Sequence, residues 1–176
     1  MNQGDAAERA AAIKLIIFDV DGVLTDGSLF YGDDGEEYKA FNSRDGHGIK
    51  MLRASGVEAA ILTGRTSQVV AHRARNLGIG RIVQGSEDKL HAYEHMLEEI
   101  GLRPEQTAFM GDDVVDLPAM RRCGLAITVP EAPEEVRARA QLVTKAGGGR
   151  GAAREACEFI MRAQGTWAAQ LALYDR

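Results

Sequence analysis

Two carboxylates two residues apart, Asp19 and Asp21, stand directly after the apolar run Ile13-Lys14-Leu15-Ile16-Ile17-Phe18 and before Gly22 and Val23. Such a run reads as a buried strand, and residues two apart on a strand point to the same side. If the extended geometry continues, both carboxylates project from the strand's carboxyl end into one small space. Like charges that close resist ionising together unless a cation or a shared proton relieves them. A hard divalent ion such as Mg²⁺ does this with oxygen ligands, so the pair points to metal-assisted phosphate chemistry. A strand followed by an Asp-Gly turn gives the same local sequence with no chemistry at all. The rest of the chain has to decide between them.

Strand-like and helix-like segments alternate along most of the length. Residues 57–62 read as a second strand ending at Thr63-Gly64-Arg65, and 66–77 as a helix closed by Gly78. Residues 81–83 are a short strand, and 86–100 a helix with Leu90, Tyr93, Leu97 and Ile100 at helical spacing before Gly101. Residues 107–110 form a strand that runs into Gly111-Asp112-Asp113; 117–123 read as helix and 125–129 as strand. Further helices fall at 134–140 and 152–163. The alternation predicts βαβ units: a doubly wound, mostly parallel sheet with helices on both faces.

One stretch departs from that pattern. Residues 28–31 and 37–41 carry Phe30, Tyr31, Tyr38 and Phe41 around the turn-rich Gly32-Asp33-Asp34-Gly35, which predicts a β-hairpin at about 28–41. An isolated hairpin is marginal in water, so this one should pack on something. After Gly46-His47-Gly48, residues 49–54 read as helix. The first twelve residues are polar and alanine-rich, either a short helix or a frayed end.

In a parallel α/β sheet, ligands bind beyond the carboxyl ends of the strands. Asp19 and Asp21, Thr63, and the group Asp112, Asp113 and Asp116 all fall there, and Lys89 lies near the start of a helix. Each is ambiguous alone. Together they offer a nucleophilic carboxylate, metal-binding oxygens, a hydroxyl donor and a cation for phosphate.

Bulk properties narrow the class. At 176 residues the chain fits one domain, and a net charge of −5 argues against a nucleic-acid surface, which needs a basic stripe. An acidic protein that handles anionic substrates must make its site locally positive. Cys123 and Cys157 are too few for a disulfide framework and fit no metal spacing, so both read as buried free thiols in a reducing cytoplasm. No apolar stretch reaches membrane-spanning length, and no signal-peptide core opens the chain.

The set of motifs resembles the haloacid dehalogenase-like phosphohydrolase superfamily, whose four signatures occur here in the family's order. Asp19-Val20-Asp21-Gly22-Val23 is similar to the first, Thr63 in Leu62-Thr63-Gly64-Arg65 to the second, Lys89 to the third, and Gly111-Asp112-Asp113-Val114-Val115-Asp116 to the fourth. The resemblance implies a single Rossmann-like domain over about 13–165, with Asp19 attacking phosphorus to form an aspartyl-phosphate. Asp21 would protonate the leaving alcohol and then activate water. Thr63 and Lys89 would hold the phosphoryl oxygens. Asp19, the backbone carbonyl of Asp21, and Asp112 would bind Mg²⁺, with either Asp113 or Asp116 completing the outer shell. An acid two residues beyond the nucleophile suits phosphate-ester cleavage, whereas carbon–halogen cleavage needs none.

Many members of that superfamily carry a cap domain, but neither 27–44 nor 65–89 has room for one. A capless site is open to water unless a neighbouring subunit closes it. Leu24-Thr25-Asp26-Gly27, residues 41–49 and Gly147-Gly148-Gly149-Arg150-Gly151 make the chain most similar, within the superfamily, to the 3-deoxy-D-manno-octulosonate 8-phosphate phosphatases. That likeness implies a sugar-phosphate substrate, a role in lipopolysaccharide precursor synthesis, a cytoplasmic homotetramer joined through hairpins, and a flexible segment from about 147. It also implies substrate contacts from Arg65 and Arg150. A triple glycine read by itself is more often a flexible loop or helix entry.

Other readings remain. A phosphatase for a sialic-acid-type 9-phosphate would have almost the same core. A phosphoacceptor signalling domain would place its acidic pair after the first strand and its phosphoacceptor after a later one. A non-catalytic oligomerisation module would have no use for the full acidic set. His91 and His95 lack a third ligand and read as helix-surface residues, and His47 as either a substrate contact or a loop residue.

Overall fold

The computed structural model describes residues 3–175; Met1, Asn2 and Arg176 lie outside the described residues. Six parallel strands form one sheet: β1 (Leu15–Phe18), β4 (Glu58–Leu62), β5 (Arg81–Val83), β6 (Thr107–Met110), β7 (Leu125–Thr128) and β8 (Leu142–Val143), in the order β5-β4-β1-β6-β7-β8. β2 (Phe30–Tyr31) and β3 (Glu37–Tyr38) pair only with each other, antiparallel.

The apolar sequence of β1 follows from its place. It is central, Leu15, Ile16, Ile17 and Phe18 are all buried, and a strand covered on both faces needs no polar alternation. Phe18 lies opposite Ile61 of β4 and Met110 of β6. The chain ends of those three strands are therefore level, which brings the residues that follow them together. The chain winds outward from β1 through β4 to β5, then returns to β6 on the other side of β1. Ligands of such sheets bind at that reversal.

The helices α1 (Gln3–Ala11), α2 (Ser43–Ala54), α3 (Gln68–Leu77) and α7 (Ala152–Ala163) pack among themselves, as do α4 (Lys89–Ile100) and α5 (Leu117–Met120). Right-handed crossovers place the two sets on opposite faces of the sheet. Two short helices, α6 (Glu134–Arg137) and α8 (Trp167–Ala172), complete the fold. Trp167 on α8 lies under the guanidinium groups of Arg154 and Arg162 of α7, which fastens the last helix.

Several boundaries differ from the sequence reading for identifiable reasons. α2 starts at Ser43 rather than 49, because Asn42 caps it by accepting from the Arg44 amide. Its glycines are poor helix formers, but they permit close packing. A Cβ on Gly46 would press on Leu77 and Arg73, and one on Gly48 would stand 2.7 Å from Arg154 Cδ. Buried Asp45 ties α2 to α7 by accepting from the amides of Gly151 and Arg154. α4 starts at Lys89 rather than 86, since Asp88 caps it through the His91 amide. β8 is a two-residue edge strand, too short to leave a periodic signal.

The segment from Gly147, expected as flexible, is docked. Gly149 donates its amide to the Val23 carbonyl, and a Cβ on Gly148 would collide with the backbone of Gly22. Beyond it, Ala152, Ala153, Ala156, Cys157, Ile160 and Met161 of α7 are fully buried. Both cysteines are buried and free, and His91 and His95 lie on the exposed surface of α4. His47 sits on α2, not in a loop, with its ring 5.3 Å from that of Tyr174.

Candidate active site

β1 ends at Phe18, and the backbone then turns sharply: the amides of Val23, Leu24 and Thr25 all return to the Val20 carbonyl. The extended geometry expected for Asp19 and Asp21 therefore does not persist. Both still line one cleft of about 280 Å³ at the strand ends, but each has its own cations. The Asp19 carboxylate accepts from Lys89 Nζ at 2.6 Å, and its other oxygen from the Val20 amide at 2.7 Å. Asp21 instead pairs with Lys39 from the hairpin and, at 3.6 Å, with Arg65.

The crowded like charges lie elsewhere. Asp19, Asp112 and Asp116 each bring a carboxylate oxygen within 4.8 Å of the others. Asp116 is completely buried; Oδ1 accepts from Lys89 at 2.5 Å, and Oδ2 from the amides of Asp112 and Asp113 at 3.0 and 3.2 Å. Asp113 is exposed and caps the short turn Val114–Asp116 through the Val114 amide. Between the two, Asp116 is the one that faces the cluster.

The electrostatics follow from this packing. Burial, and then the Asp116 charge, push Asp19 up to about 6 despite Lys89. Burial, then Asp116 and Asp19, push Asp112 up to about 7. Burial would lower the Lys89 ammonium, but Asp19 and Asp116 outweigh it and hold it above its ordinary value. Three carboxylates against one ammonium leave the group short of positive charge. A Cβ on Gly22, which has φ +82°, would run into the Asp112 carboxylate, so the backbone itself forms one wall. The oxygen donors and their uncompensated charge fit a hard divalent cation.

Thr63 is buried at the end of β4 and lines the same cleft, as do Gly64 and Arg65. Arg65 is half exposed and bonds Glu37 and the Tyr31 hydroxyl. Arg150 is not brought into the cleft: its side chain is 72% exposed and reaches Asp26 at 3.4 Å. Lys39 and Glu37 escaped the sequence reading, which weighed only the hairpin's aromatic residues. Their signal is the alternation Glu37-Tyr38-Lys39, which puts the two charges on one side of the strand and Tyr38 on the other.

Comparison with known proteins gives the family. A haloacid dehalogenase-like hydrolase family model matches residues 36–124. The 3-deoxy-D-manno-octulosonate 8-phosphate phosphatase KdsC of Yersinia pestis is 47% identical over 160 residues, covering 91% of this chain and 86% of that protein. The chain belongs to the haloacid dehalogenase-like hydrolases. Among solved structures, a probable YrbI family phosphatase from Pseudomonas syringae superposes with a TM-score of 0.97 at 51% identity, over 98% of both chains. The 3-deoxy-D-manno-octulosonate 8-phosphate phosphatase of Moraxella catarrhalis, solved with magnesium, phosphate and the sugar acid, also superposes with a TM-score of 0.97, at 42% identity over 98% of this chain and 99% of that one. Membership of this hydrolase family sets aside the signalling-domain reading.

Proposed function

We propose that the protein is a Mg²⁺-dependent phosphomonoesterase that converts 3-deoxy-D-manno-octulosonate 8-phosphate to the free sugar acid and phosphate, within lipopolysaccharide precursor synthesis in the cytoplasm. The observation that carries the reading is the bridge of Lys89 between Asp19 and Asp116, beside Asp112, at the sheet's reversal point. The named activity of relatives at 45–47% identity over 92% and 91% of the chain supports the substrate.

Asp19 attacks phosphorus through a carboxylate oxygen, forming an acyl-phosphate bond as the bond to the sugar oxygen breaks. Asp21 gives its proton to that departing oxygen, and then takes a proton from the water that attacks the phosphorus of the intermediate. Hydrolysis restores Asp19 and releases phosphate. Lys89 and Thr63 hold the equatorial oxygens, and Asp116 keeps Lys89 aimed at them. Asp19, Asp112 and the Asp21 carbonyl would hold Mg²⁺, with Asp116 behind them. When bound, the ion offsets the carboxylates' charge and that of the transferring phosphoryl group.

Arg65 and Arg150 are suited to the acidic sugar, because a guanidinium matches a carboxylate bidentately; Arg150 would have to leave Asp26 to reach it. Leu29, Phe30, Tyr31 and Tyr38 of the hairpin are 45–57% exposed, which supports a homotetramer joined through hairpins. The deciding experiment is phosphate release from the octulosonate 8-phosphate and a sialic-acid-type 9-phosphate, side by side, with and without Mg²⁺. Clear preference for the eight-carbon substrate is expected; equal rates would overturn the substrate assignment.

A further inference from the structure

The hairpin contributes two charged side chains, Lys39 and Glu37, that the reaction described above leaves unused. The Lys39 side chain has no exposed surface, and its ammonium bonds Asp21 Oδ1 and lies 3.2 Å from Glu37 Oε1. Glu37 Oε1 also accepts from Arg65 Nη2 at 3.1 Å, and Arg65 Nε returns to Asp21 Oδ2 at 3.6 Å. The four side chains thus close a ring of alternating charge. Tyr31, on the opposing hairpin strand, accepts a further hydrogen bond from Arg65.

The ring's members differ in strength. A buried ammonium is costly unless it is paired, and Lys39 has two carboxylates in reach. Arg65 is 43% exposed, and its 3.6 Å approach to Asp21 is too long for a charge-assisted hydrogen bond. Lys39 is therefore the firm tether and Arg65 the loose one. Asp21 needs such a tether, because it lies in the turn beyond β1, outside the strand's hydrogen-bond ladder. An acid that serves both a leaving oxygen and an attacking water depends on a settled orientation.

We propose that Lys39 is a positioning residue for the reaction: it fixes the orientation of the Asp21 carboxylate, which makes the hairpin part of the catalytic apparatus. The inference rests on the acid–base role proposed for Asp21. It predicts a defect that depends on the leaving group, since p-nitrophenolate departs without a proton whereas a sugar alkoxide does not.

Lys39→Met keeps the stem and removes the ammonium. It should lower kcat on the octulosonate phosphate by about 10- to 100-fold, the scale of a misplaced catalytic group, with KM moving less than threefold. On p-nitrophenyl phosphate with Mg²⁺ it should show a nitrophenolate burst of one per active site before a slow steady rate, because the second step still needs Asp21. Lys39→Arg should restore most of the turnover. Unchanged kcat on the sugar phosphate, or equal losses in the burst and steady phases, would overturn the proposal. Should Lys39→Met fail to fold, Lys39→Gln keeps a polar tip without the charge; unchanged kcat on the sugar phosphate in that folded variant would also overturn it. Asp21→Asn separates the two readings. If it too lacks a burst, the acid–base role fails; a burst in Asp21→Asn but none in Lys39→Met refutes Lys39 alone.

Discussion

On the sheet side of the cleft, Asp19, Asp112, Asp116 and Lys89 stand at the ends of central strands and the start of α4, and their geometry is set by buried backbone. On the hairpin side, Lys39 from a two-stranded ribbon and Arg65 from the loop after β4 meet Asp21, with Glu37 and Tyr31 of the ribbon behind them, and the ribbon's outer surface is exposed. The sheet side has more negative charge than it can balance, while the hairpin side closes its charges in a ring. The first arrangement suits binding a cation and a phosphoryl group; the second suits holding one carboxylate still. The chemistry is thus anchored in the core, and its fine orientation comes from a surface element.

The largest effect should come from the nucleophile. Asp19→Asn is expected to lower phosphate release by about 10⁴-fold or more while the protein stays folded; appreciable turnover in that variant would remove nucleophilic attack from the scheme. Next comes Asp116→Ala, which leaves Lys89 with Asp19 alone and takes the acceptor from two backbone amides. A loss of about 2–4 kcal/mol in unfolding free energy is expected, as for polar groups left unsatisfied, read from urea denaturation. A loss no greater than that of a surface substitution would mean that the sheet side is not held by this residue.

Metal and pH give a third way to separate the two sides. Burial and neighbouring charge raise Asp19 from 3.8 to about 6 and Asp112 from 3.8 to about 7. Without metal, the native state then keeps protons that the unfolded chain loses over that range, so this contribution to stability falls as pH rises through it. Above the native values the repulsion is present in full. Added Mg²⁺ should therefore raise the melting temperature more at about pH 8 than at about pH 5; an equal shift at both would place the ion away from these carboxylates.

The smallest effect on the chain's own stability should come from the hairpin surface. Phe30→Ser with Tyr38→Ser should change the unfolding free energy of a single subunit by less than about 0.5 kcal/mol per site. It should nevertheless shift the sedimenting species from the proposed tetramer towards smaller forms. A variant that stays tetrameric would move the subunit contact away from the hairpin.

Much of this could be read from the residues in order. The apolar run before Asp19 and the glycines at 78 and 101 each signal an element through local chemistry. The strand-end positions of Asp19, Thr63 and Asp112 follow from the winding rule alone. What escaped was non-local. Gly46 and Gly48 look like helix breakers until α3 and α7 are seen to press on them. Asp113 and Asp116 are equal candidates until the turn between them exposes one and buries the other. Nothing local to Arg150 shows that its side chain rests on Asp26, outside the cleft.

The sequence by itself determined the fold class and the reaction type, and it marked candidates for the nucleophile, the phosphate cation and the acidic cluster, because those depend on strand periodicity and on residue types at strand ends. Only the tertiary structure decided which carboxylates crowd together and which cation attends each. Residues 39 and 21, like 89 and 116, are distant along the chain, and no local rule relates them. Their meeting depends on where the backbone turns after Phe18 and on how the hairpin folds back over it.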